Sequence, residues 1–279
     1  MNRNVILLVC ALIINACSCG GGRIPKAGPV NNRTNSIIQK GSSRVATVRD
    51  KQNCLKLPQI TAEDDIVNHI GFCASYNHNT LCPNWVAYEL TDEEVNGTCK
   101  GKQSFQWDPI LKGKRSNRED YKNDEDWDKG HMAPKADMKW SVQAYEESFY
   151  LTNICPQNHS FNAGIWNSLE KLVRRVAIQY GRAYIIVGPI IGDCINGTLG
   201  ESKVYIPDKF FKAIIVPKNN IYSGIAFVMD NSPINGTMRS CAMSIDSLET
   251  ILNRDLFVAL DDKIEPIVES QIIYSDWGL

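Results

Sequence analysis

Apolar residues along the chain gather into short runs of the kind that form β-strands. Seven such runs occupy residues 70–76, 85–90, 149–152, 183–187, 203–206, 211–216 and 221–229. Asn-Gly dipeptides that begin at positions 96, 196 and 235 mark turns between several of them. The pattern predicts a series of short strands joined by tight turns.

Two further stretches have the spacing of apolar residues that is typical of helices. The clearer one covers residues 162–180 and is followed by Gly181, the residue expected just past a helix end. One stripe of this helix should face the core: Ile165, Leu169, Leu172, Val173 and Val176. A second helix is predicted over residues 244–253. Strands with interspersed helices, without regular alternation of the two, predict an α+β domain.

The first 19 residues have the features of an export signal. Arg3 precedes an apolar run over residues 5–14, which is too short to cross a bilayer, and small residues follow it. Residues 13–17 resemble a bacterial lipobox, which predicts a lipid anchor on Cys17 and a place in the periplasm, the outer membrane or the cell surface. Ordinary signal-peptidase cleavage with secretion is the alternative. Residues 20–44 are expected to form a flexible tether, and residues 45–279 a single domain.

Composition and cysteine usage narrow the class of protein. With 43% hydrophobic and 22% charged residues the chain is an ordinary globular protein, and its formal net charge of −1 provides no overall basic field. Seven cysteines lie in the predicted domain, which fits an oxidising compartment: Cys54, Cys73, Cys82, Cys99, Cys155, Cys194 and Cys241. Cys73 with Cys82, and Cys194 with Cys241, are candidate bridges, but spacing leaves the connectivity open. Scattered histidines and the lack of a CxxC pair argue against structural zinc.

Three ordered motifs carry most of the functional information. They are Asp-Lys-Gly-His-Met-Ala-Pro at 128–134, Phe-Tyr-Leu-Thr-Asn-Ile-Cys-Pro-Gln at 149–157 and Asn-Ala-Gly-Ile-Trp-Asn-Ser-Leu-Glu at 162–170. In this order they resemble the DNA/RNA non-specific endonucleases, and the resemblance extends from about residue 71 to about residue 257. One position departs from the family pattern, because Lys129 stands where the family has Arg. The resemblance implies the ββα-metal, or His-Me finger, fold: a central antiparallel sheet with flanking helices.

Phosphodiester hydrolysis needs a base for water, a cation for the developing charge and donors for the phosphate. Histidine can be a neutral base near pH 7, and the resemblance gives this role to His131, with Gly130 allowing close approach of the substrate. The resemblance also makes Asn162 the sole direct protein ligand of Mg²⁺, with Mn²⁺ as an alternative. In the implied fold a hairpin carries His131 and the following helix carries Asn162 and Glu170.

Four-residue steps place Asn162, Trp166, Glu170 and Arg174 on one side of the predicted helix. The resemblance implies that Glu170 orients water around the cation and that Arg174 contacts the scissile phosphate, although a simple surface ion pair between them is the alternative. Asn153 is expected to fix the region of His131 and the cation, and a buried Asn that satisfies backbone groups is its alternative. Asp128 is a candidate orienting residue.

Substrate contacts are expected from Lys129, Arg174, Lys102 and Arg115. The last two belong to a basic segment before the first motif: Lys100, Lys102, Lys112, Lys114, Arg115 and Arg118. Acidic residues at 119–120 and 124–126 weaken that interpretation. Contacts to phosphate carry no sequence information, and an attacking water needs no 2′-hydroxyl, so both DNA and RNA are the expected substrates. The resemblance implies that cleavage leaves 5′-phosphate ends.

Two other functions compete with an exported Mg²⁺-dependent endonuclease. One is a catalytically impaired nuclease-fold protein that binds nucleic acid, for which Lys129 would be the mark. The other is a phosphodiesterase that acts on another phosphorylated substrate. Retention of His131, Asn162 and Glu170 favours the endonuclease, while the oligomeric state stays open.

Overall fold

The structure is a computed structural model and describes residues 57–122, 125–193 and 195–279. The predicted export signal (1–19), the lipid attachment site at Cys17 and the tether (20–44) lie outside the described residues, as do Cys54 and Cys194. None of the helices in the described part of the chain is both long enough and apolar enough to span a bilayer.

A seven-stranded antiparallel sheet forms the centre of the domain, in the order β1-β2-β3-β6-β9-β10-β11. Two smaller antiparallel pairs, β4-β5 and β7-β8, lie outside it. The strands are β1 Asp65–Asn68, β2 Cys73–Asn77, β3 Cys82–Thr91, β4 Trp127–His131, β5 Ile154–Asn158, β6 Arg182–Ile190, β7 Thr198–Leu199, β8 Val204–Tyr205, β9 Lys209–Lys218, β10 Ile221–Asp230 and β11 Ala242–Met243.

Helices surround this sheet, and most are short. The α-helices are α1 Asp92–Val95, α2 Val142–Glu147, α3 His159–Phe161, α4 Asn167–Tyr180, α5 Ile245–Leu252, α6 Glu265–Glu269 and α7 Tyr274–Trp277. Single 3₁₀ turns cover Arg118–Tyr121, Leu151–Asn153 and Met238–Cys241, and a π-helical turn covers Asn162–Trp166. Mixed helices around a large antiparallel sheet confirm the predicted α+β class.

Both faces of the sheet are covered, because successive strand residues point to opposite faces. In β9, Phe210 and Ile214 belong to one core, and Phe211 and Ala213 belong to the other. The first core is closed by the predicted stripe of α4, of which Leu169, Leu172, Val173 and Val176 are buried. Residues of α5 and α6, among them Ile245, Leu248 and Val268, close the second core. The sheet therefore separates two apolar cores, one on each of its faces.

Helix ends follow the expected chemistry. Gly181 adopts a left-handed conformation with φ of 82° at the end of α4, as the sequence predicts for a residue without a Cβ. Ser244 caps α5 by accepting a hydrogen bond from the backbone of Ser247, and Asn253 ends that helix with φ of 48°. The predicted helix over 162–180 is confirmed with one change: its first turn is π-helical and contains a kink at Gly164.

Two sequence predictions about local structure are wrong. Residues 149–152 form no strand. The chain makes a 3₁₀ turn over Leu151–Asn153 there, and the strand begins only at Ile154. The candidate bridge between Cys73 and Cys82 is also absent, because Cys82 has a buried free thiol. The register explains this: Cys73 pairs with Ala87, five positions along β3 from Cys82, a separation of roughly 17 Å at the rise of a strand.

Candidate active site

His131 lies at the end of β4 and faces the central cleft. Strand β4 is held by β5, with Gly130 opposite Cys155 and His131 opposite Ile154. Gly130 has a structural reason of its own, while the predicted close approach of the substrate there stays a prediction. A Cβ at this position would come within 2.1 Å of the Gln157 side chain, so the glycine makes room for a buried neighbour on β5.

Aromatic rings form the walls around His131. The Phe149 ring stands edge-on at 5.1 Å between centroids, and the Phe105 ring is tilted at 5.5 Å. Burial, together with the charge of Lys135, lowers the pKa of His131 to about 3. The imidazole is therefore neutral at physiological pH. Its Nε2 atom is buried and has no hydrogen-bond partner among the described residues.

Asn153 supports the backbone that follows His131 instead of facing the cleft. Its amide nitrogen donates to the carbonyl oxygens of Ala133 and Ser148, both at 2.9 Å, and its amide oxygen accepts from the Ala133 nitrogen at 2.8 Å. The side chain is fully buried. The structure therefore places Asn153 as the buried, backbone-satisfying residue that was its alternative reading.

Asn162 lies in the π-helical turn, and Asp128 of β4 fixes the orientation of its amide. The Asn162 nitrogen donates to Asp128 Oδ2 at 2.8 Å, and His159 Nδ1 lies 3.1 Å from the same oxygen. With its nitrogen engaged, the amide has its oxygen left as the atom that can bind a cation. A neutral oxygen ligand suits Mg²⁺, which keeps several of its waters and takes few protein ligands. The residues present thus fit a divalent cation at Asn162.

Beside this site four charged side chains form a cluster, which we call the cleft cluster: Asp137, Glu170, Arg174 and Lys212. Asp137 and Lys212 are buried, and Glu170 and Arg174 are half-buried. Arg174 donates to Asp137 at 2.6 Å, and Tyr88 donates to the other oxygen of Asp137 at 3.1 Å. Arg174 also lies 4.0 Å from Glu170. Arg174 is therefore more than a surface partner of Glu170, because it neutralises a buried aspartate.

Burial is the largest influence on the protonation of this cluster. It raises the pKa of Glu170 to about 7, against the opposing charge of Lys212, and it raises the pKa of Asp137. Burial also lowers the pKa of Lys212, whose charge is favoured by Glu170 and Asp137. Lys212 Nζ has no hydrogen-bond partner among the described residues and lies 4.5 Å from the centroid of the Trp166 ring. The lysine acts on the two carboxylates through its charge.

The position of Lys212 follows from the alternation of β9. It shares a face with Phe210 and Ile214, the face that packs against α4. Sequence reasoning missed Lys212 and Asp137. A signal for Lys212 was available, because a lysine at an inward position of an otherwise apolar strand is rarely buried without a function.

The cleft has a volume of about 630 Å³ and is open to solvent. Five of the predicted site residues line it: Lys129, His131, Asn162, Glu170 and Arg174. Lys135 and Phe105, which sequence reasoning did not single out, line it as well. Lys129 Nζ lies 5.7 Å from the Phe105 ring centroid and 5.3 Å from that of Tyr121, and burial lowers its pKa.

Two predicted substrate contacts lie outside the cleft. Lys102 and Arg115 are exposed, and neither belongs to its lining. The Arg115 guanidinium stacks on the Trp107 ring at 4.3 Å, and the Lys102 backbone donates to Glu146. The structure therefore does not bring these two cations to the reacting centre, and the local positive charge comes from Lys129, Lys135 and Arg174.

Comparison with known proteins agrees with this geometry. The family model of the DNA/RNA non-specific endonucleases matches residues 52–263. The mitochondrial nuclease EXOG of Danio rerio is 34% identical over 193 residues, which cover 64% of this chain and 55% of the relative. The mitochondrial nuclease of Saccharomyces cerevisiae is 30% identical over 244 residues, covering 79% and 73%. The chain thus spans about half the length of the Danio relative.

A solved structure supports the same assignment. The crystal structure of the EndoG/EndoGI complex contains a chain that superposes with a TM-score of 0.68 at 25% sequence identity, covering 77% of this chain and 94% of that one. This confirms the predicted α+β nuclease fold. Because the family model spans well over half of the sequence, the chain belongs to the DNA/RNA non-specific endonuclease family.

Proposed function

We propose that this protein is a Mg²⁺-dependent endonuclease that hydrolyses DNA and RNA without sequence specificity, with Mn²⁺ as an alternative cation. One observation carries the proposal: a neutral histidine and an asparagine oriented by an aspartate line the same cleft. A base and a cation ligand in one open cleft are what metal-assisted hydrolysis of a phosphodiester requires.

His131 takes the proton of the attacking water. Its low pKa keeps the ring neutral before the reaction, and the rings of Phe105 and Phe149 limit its movement. Asn153 supports this step indirectly, because it holds the backbone of Ala133 two residues beyond the base.

Asn162 would hold the cation through its amide oxygen, and Asp128 would keep that oxygen turned toward it. When bound, Mg²⁺ would stabilise the negative charge that develops on the phosphate and the leaving oxygen. When it is ionised, Glu170 accepts hydrogen bonds from water in the cleft. The positive charge of Arg174 lies 4.0 Å from this carboxylate.

Lys129, Lys135 and Arg174 attract the phosphate backbone of the substrate. The cleft is open, and the contacts expected from these cations are to phosphate and not to base edges, which suits cleavage without sequence preference. Water as the nucleophile makes a 2′-hydroxyl unnecessary, so both nucleic acids are substrates. Loss of the 3′-oxygen as the leaving group, which the family resemblance implies, gives products with 5′-phosphates.

A nicking assay on supercoiled plasmid and on RNA, with and without EDTA, tests the proposal. His131→Ala should lower kcat by about 10²- to 10⁴-fold, the contribution of a general base. Asn162→Ala should lose activity mainly through the cation, so that raised Mg²⁺ or Mn²⁺ recovers part of it. His78→Ala, which alters a histidine outside the cleft lining, is the matched control and should retain full activity.

The same assay decides between the competing functions. Nucleic-acid binding without cleavage by the wild type would favour the impaired binding protein. Cleavage of small phosphodiesters but not of polymers would favour another substrate. Full activity in excess EDTA, or in the Asn162→Ala variant without added metal, would refute the assigned cation site.

We also propose that the chain is exported and anchored through a lipid on Cys17, so that the membrane is contacted only there. The support is Arg3, the short apolar run and the lipobox-like residues 13–17. Metabolic labelling with a fatty acid should mark the wild type but not Cys17→Ser. Unlabelled protein in the medium would instead establish plain secretion.

A further inference from the structure

A second cluster of acidic side chains lies on the other side of the sheet, between α5 and α6. Asp246 and Glu249 belong to α5, and Glu269 ends α6. Each offers one carboxylate oxygen, and these oxygens all lie within 4.8 Å of one another. In the part of the chain that the structure describes, no other group of three or more His, Cys, Asp or Glu residues meets this spacing.

Glu269 is the member of this cluster that has an unpaired carboxylate oxygen. Its side chain is only 1% exposed, and its Oε1 atom has no hydrogen-bond partner among the described residues. A buried carboxylate oxygen without a donor is costly, and native structures satisfy such groups with protein, water or ions. Glu249 has a partner, because one of its oxygens accepts a hydrogen bond from the Leu256 backbone nitrogen at 2.6 Å. The carboxylate oxygen without a hydrogen-bond partner therefore lies at the buried end of the cluster.

The surrounding negative charges make ionisation of Glu269 still more unfavourable. Burial, followed by the charges of Glu249, Glu265, Asp255 and Asp246, raises the pKa of Glu269 to about 9. Burial and acidic neighbours likewise raise the pKa of Glu249 to about 7. A cation among these carboxylates would remove the repulsion and would supply the missing partner of Glu269.

We propose that Asp246, Glu249 and Glu269 form a Ca²⁺ site that stabilises the packing of α5 and α6 on the sheet. The ligand set contains only carboxylate oxygens, which favours a hard cation over zinc or copper. Ca²⁺ binds oxygens at about 2.3–2.6 Å, so oxygens on opposite sides of one ion are up to about 5 Å apart, and the observed spacing fits a single ion.

The exposure of the three residues fits such a site. Glu269 is buried, Glu249 is half-buried and Asp246 is exposed, so the cluster opens from the core toward solvent. Water can complete the coordination on the open side, and an ion can enter there. Asp246 and Glu249 are three positions apart on α5 and so lie on one face of that helix. Ca²⁺ accepts irregular geometry and several carboxylates, whereas Mg²⁺ takes one or two and keeps more of its waters.

Calcium titration of the purified full-length protein tests the site, with thermal unfolding and calorimetric binding as readouts and no need for activity. The protein is first freed of metal with a chelator. Ca²⁺ at about a hundred times its Kd should raise Tm by about 5–10 °C. Glu269→Gln and Asp246→Asn should each weaken calcium binding at least about tenfold. Asp246 is exposed, so its variant keeps the test valid if Glu269→Gln fails to fold.

Two controls separate this site from the catalytic cleft and from general charge effects. Asn162→Ala removes the proposed catalytic ligand and should keep the calcium response, as should Glu201→Gln at an exposed acidic residue outside the cluster. Absence of a calcium response in the wild type would overturn the proposal. So would a response of wild-type size in Asp246→Asn, or its loss in Asn162→Ala.

Discussion

The cleft cluster and the acidic cluster between α5 and α6 both bury carboxylates, but they compensate the charge differently. In the cleft, Asp137 and Glu170 lie beside the cations Arg174 and Lys212, with Arg174 at 2.6 Å from Asp137. In the other cluster, the charges that act most strongly on Glu269 are all acidic. Correspondingly, the pKa reaches about 7 for Glu170 and about 9 for Glu269.

The difference shows how the protein can keep a carboxylate ionised in its interior. An internal cation lowers the cost of ionisation at all times, so Glu170 stays near the balance between its two forms at neutral pH. A carboxylate with only acidic neighbours must bind a proton or an external cation. We infer that Glu170 in the cleft stays available for chemistry, whereas Glu269 in the second cluster depends on the proton or cation that it binds.

The largest expected effect comes from removing the internal cation of the cleft. Lys212→Met keeps a long side chain of similar volume beside Trp166 but loses the charge that opposes protonation of Glu170. A nearby opposite charge moves a carboxyl pKa by about 1–3 units, so the ionised fraction of Glu170 at pH 7 should fall from about one half by about 5- to 500-fold. The rate at pH 7 should fall in proportion, and kcat should recover as pH is raised toward 9.

The pH profile separates this electrostatic role from a structural one. Lys209→Met, on the same strand, removes an exposed lysine that pairs with Asp230 and should leave both the rate and its pH profile unchanged. A uniform loss of activity in Lys212→Met at every pH, with no shift of the profile, would mean that Lys212 only supports packing.

An intermediate effect is expected at Lys129, the cation of the cleft that departs from the family pattern. Lys offers a point charge, whereas Arg can hold two phosphate oxygens with its planar group. Lys129→Ala should therefore lower kcat/KM by about one to two orders of magnitude, from the loss of about 1.5–3 kcal/mol of charged hydrogen bonding. Lys129→Arg should match or exceed the wild type.

Initial rates on one DNA substrate across a salt series measure this prediction. Wild type should be more sensitive to salt than Lys129→Arg if the lysine acts mainly through its charge. Equal rates for wild type and Lys129→Ala at every salt concentration would show that this position does not contact the phosphate.

The smallest expected effect concerns stability in the acidic cluster without a divalent cation. The folded protein raises the pKa of Glu269 from 4.5 to about 9, so the unfolded chain binds fewer protons between these values and stability falls as pH rises. His131, with its pKa near 3, does not titrate in the folded protein between pH 7 and 9. Glu170, whose pKa is about 7, affects the pH dependence of stability mainly at the lower end of this range. Tm should fall by about 4–8 °C in this window, equivalent to about 2 kcal/mol.

Glu269→Gln should flatten that slope, and saturating Ca²⁺ should flatten it in the wild type. Glu201→Gln serves as the control and should keep the slope. If metal-free wild type and Glu269→Gln lose stability equally between pH 7 and 9, Glu269 does not titrate there, and the contrast between the two clusters fails.

The sequence by itself determined the family, the α+β class and the position of the main helix. Short motifs were sufficient because His131, Asn162 and Glu170 lie close together along the chain, at the end of one strand and on one helix. The core stripe of α4 and its end at Gly181 were also predictable, since they depend on local periodicity and on a conformation that favours glycine.

Only the tertiary structure decided what surrounds those residues. Lys212 lies 42 positions beyond Glu170, and it comes near Glu170 only because β9 is an interior strand of the sheet with this residue facing α4. Lys102 and Arg115 precede His131 closely in sequence yet lie outside the cleft, and Gly130 makes room for the side chain of Gln157 on the neighbouring strand. Charge acts through distance in space, and strand order and register set that distance.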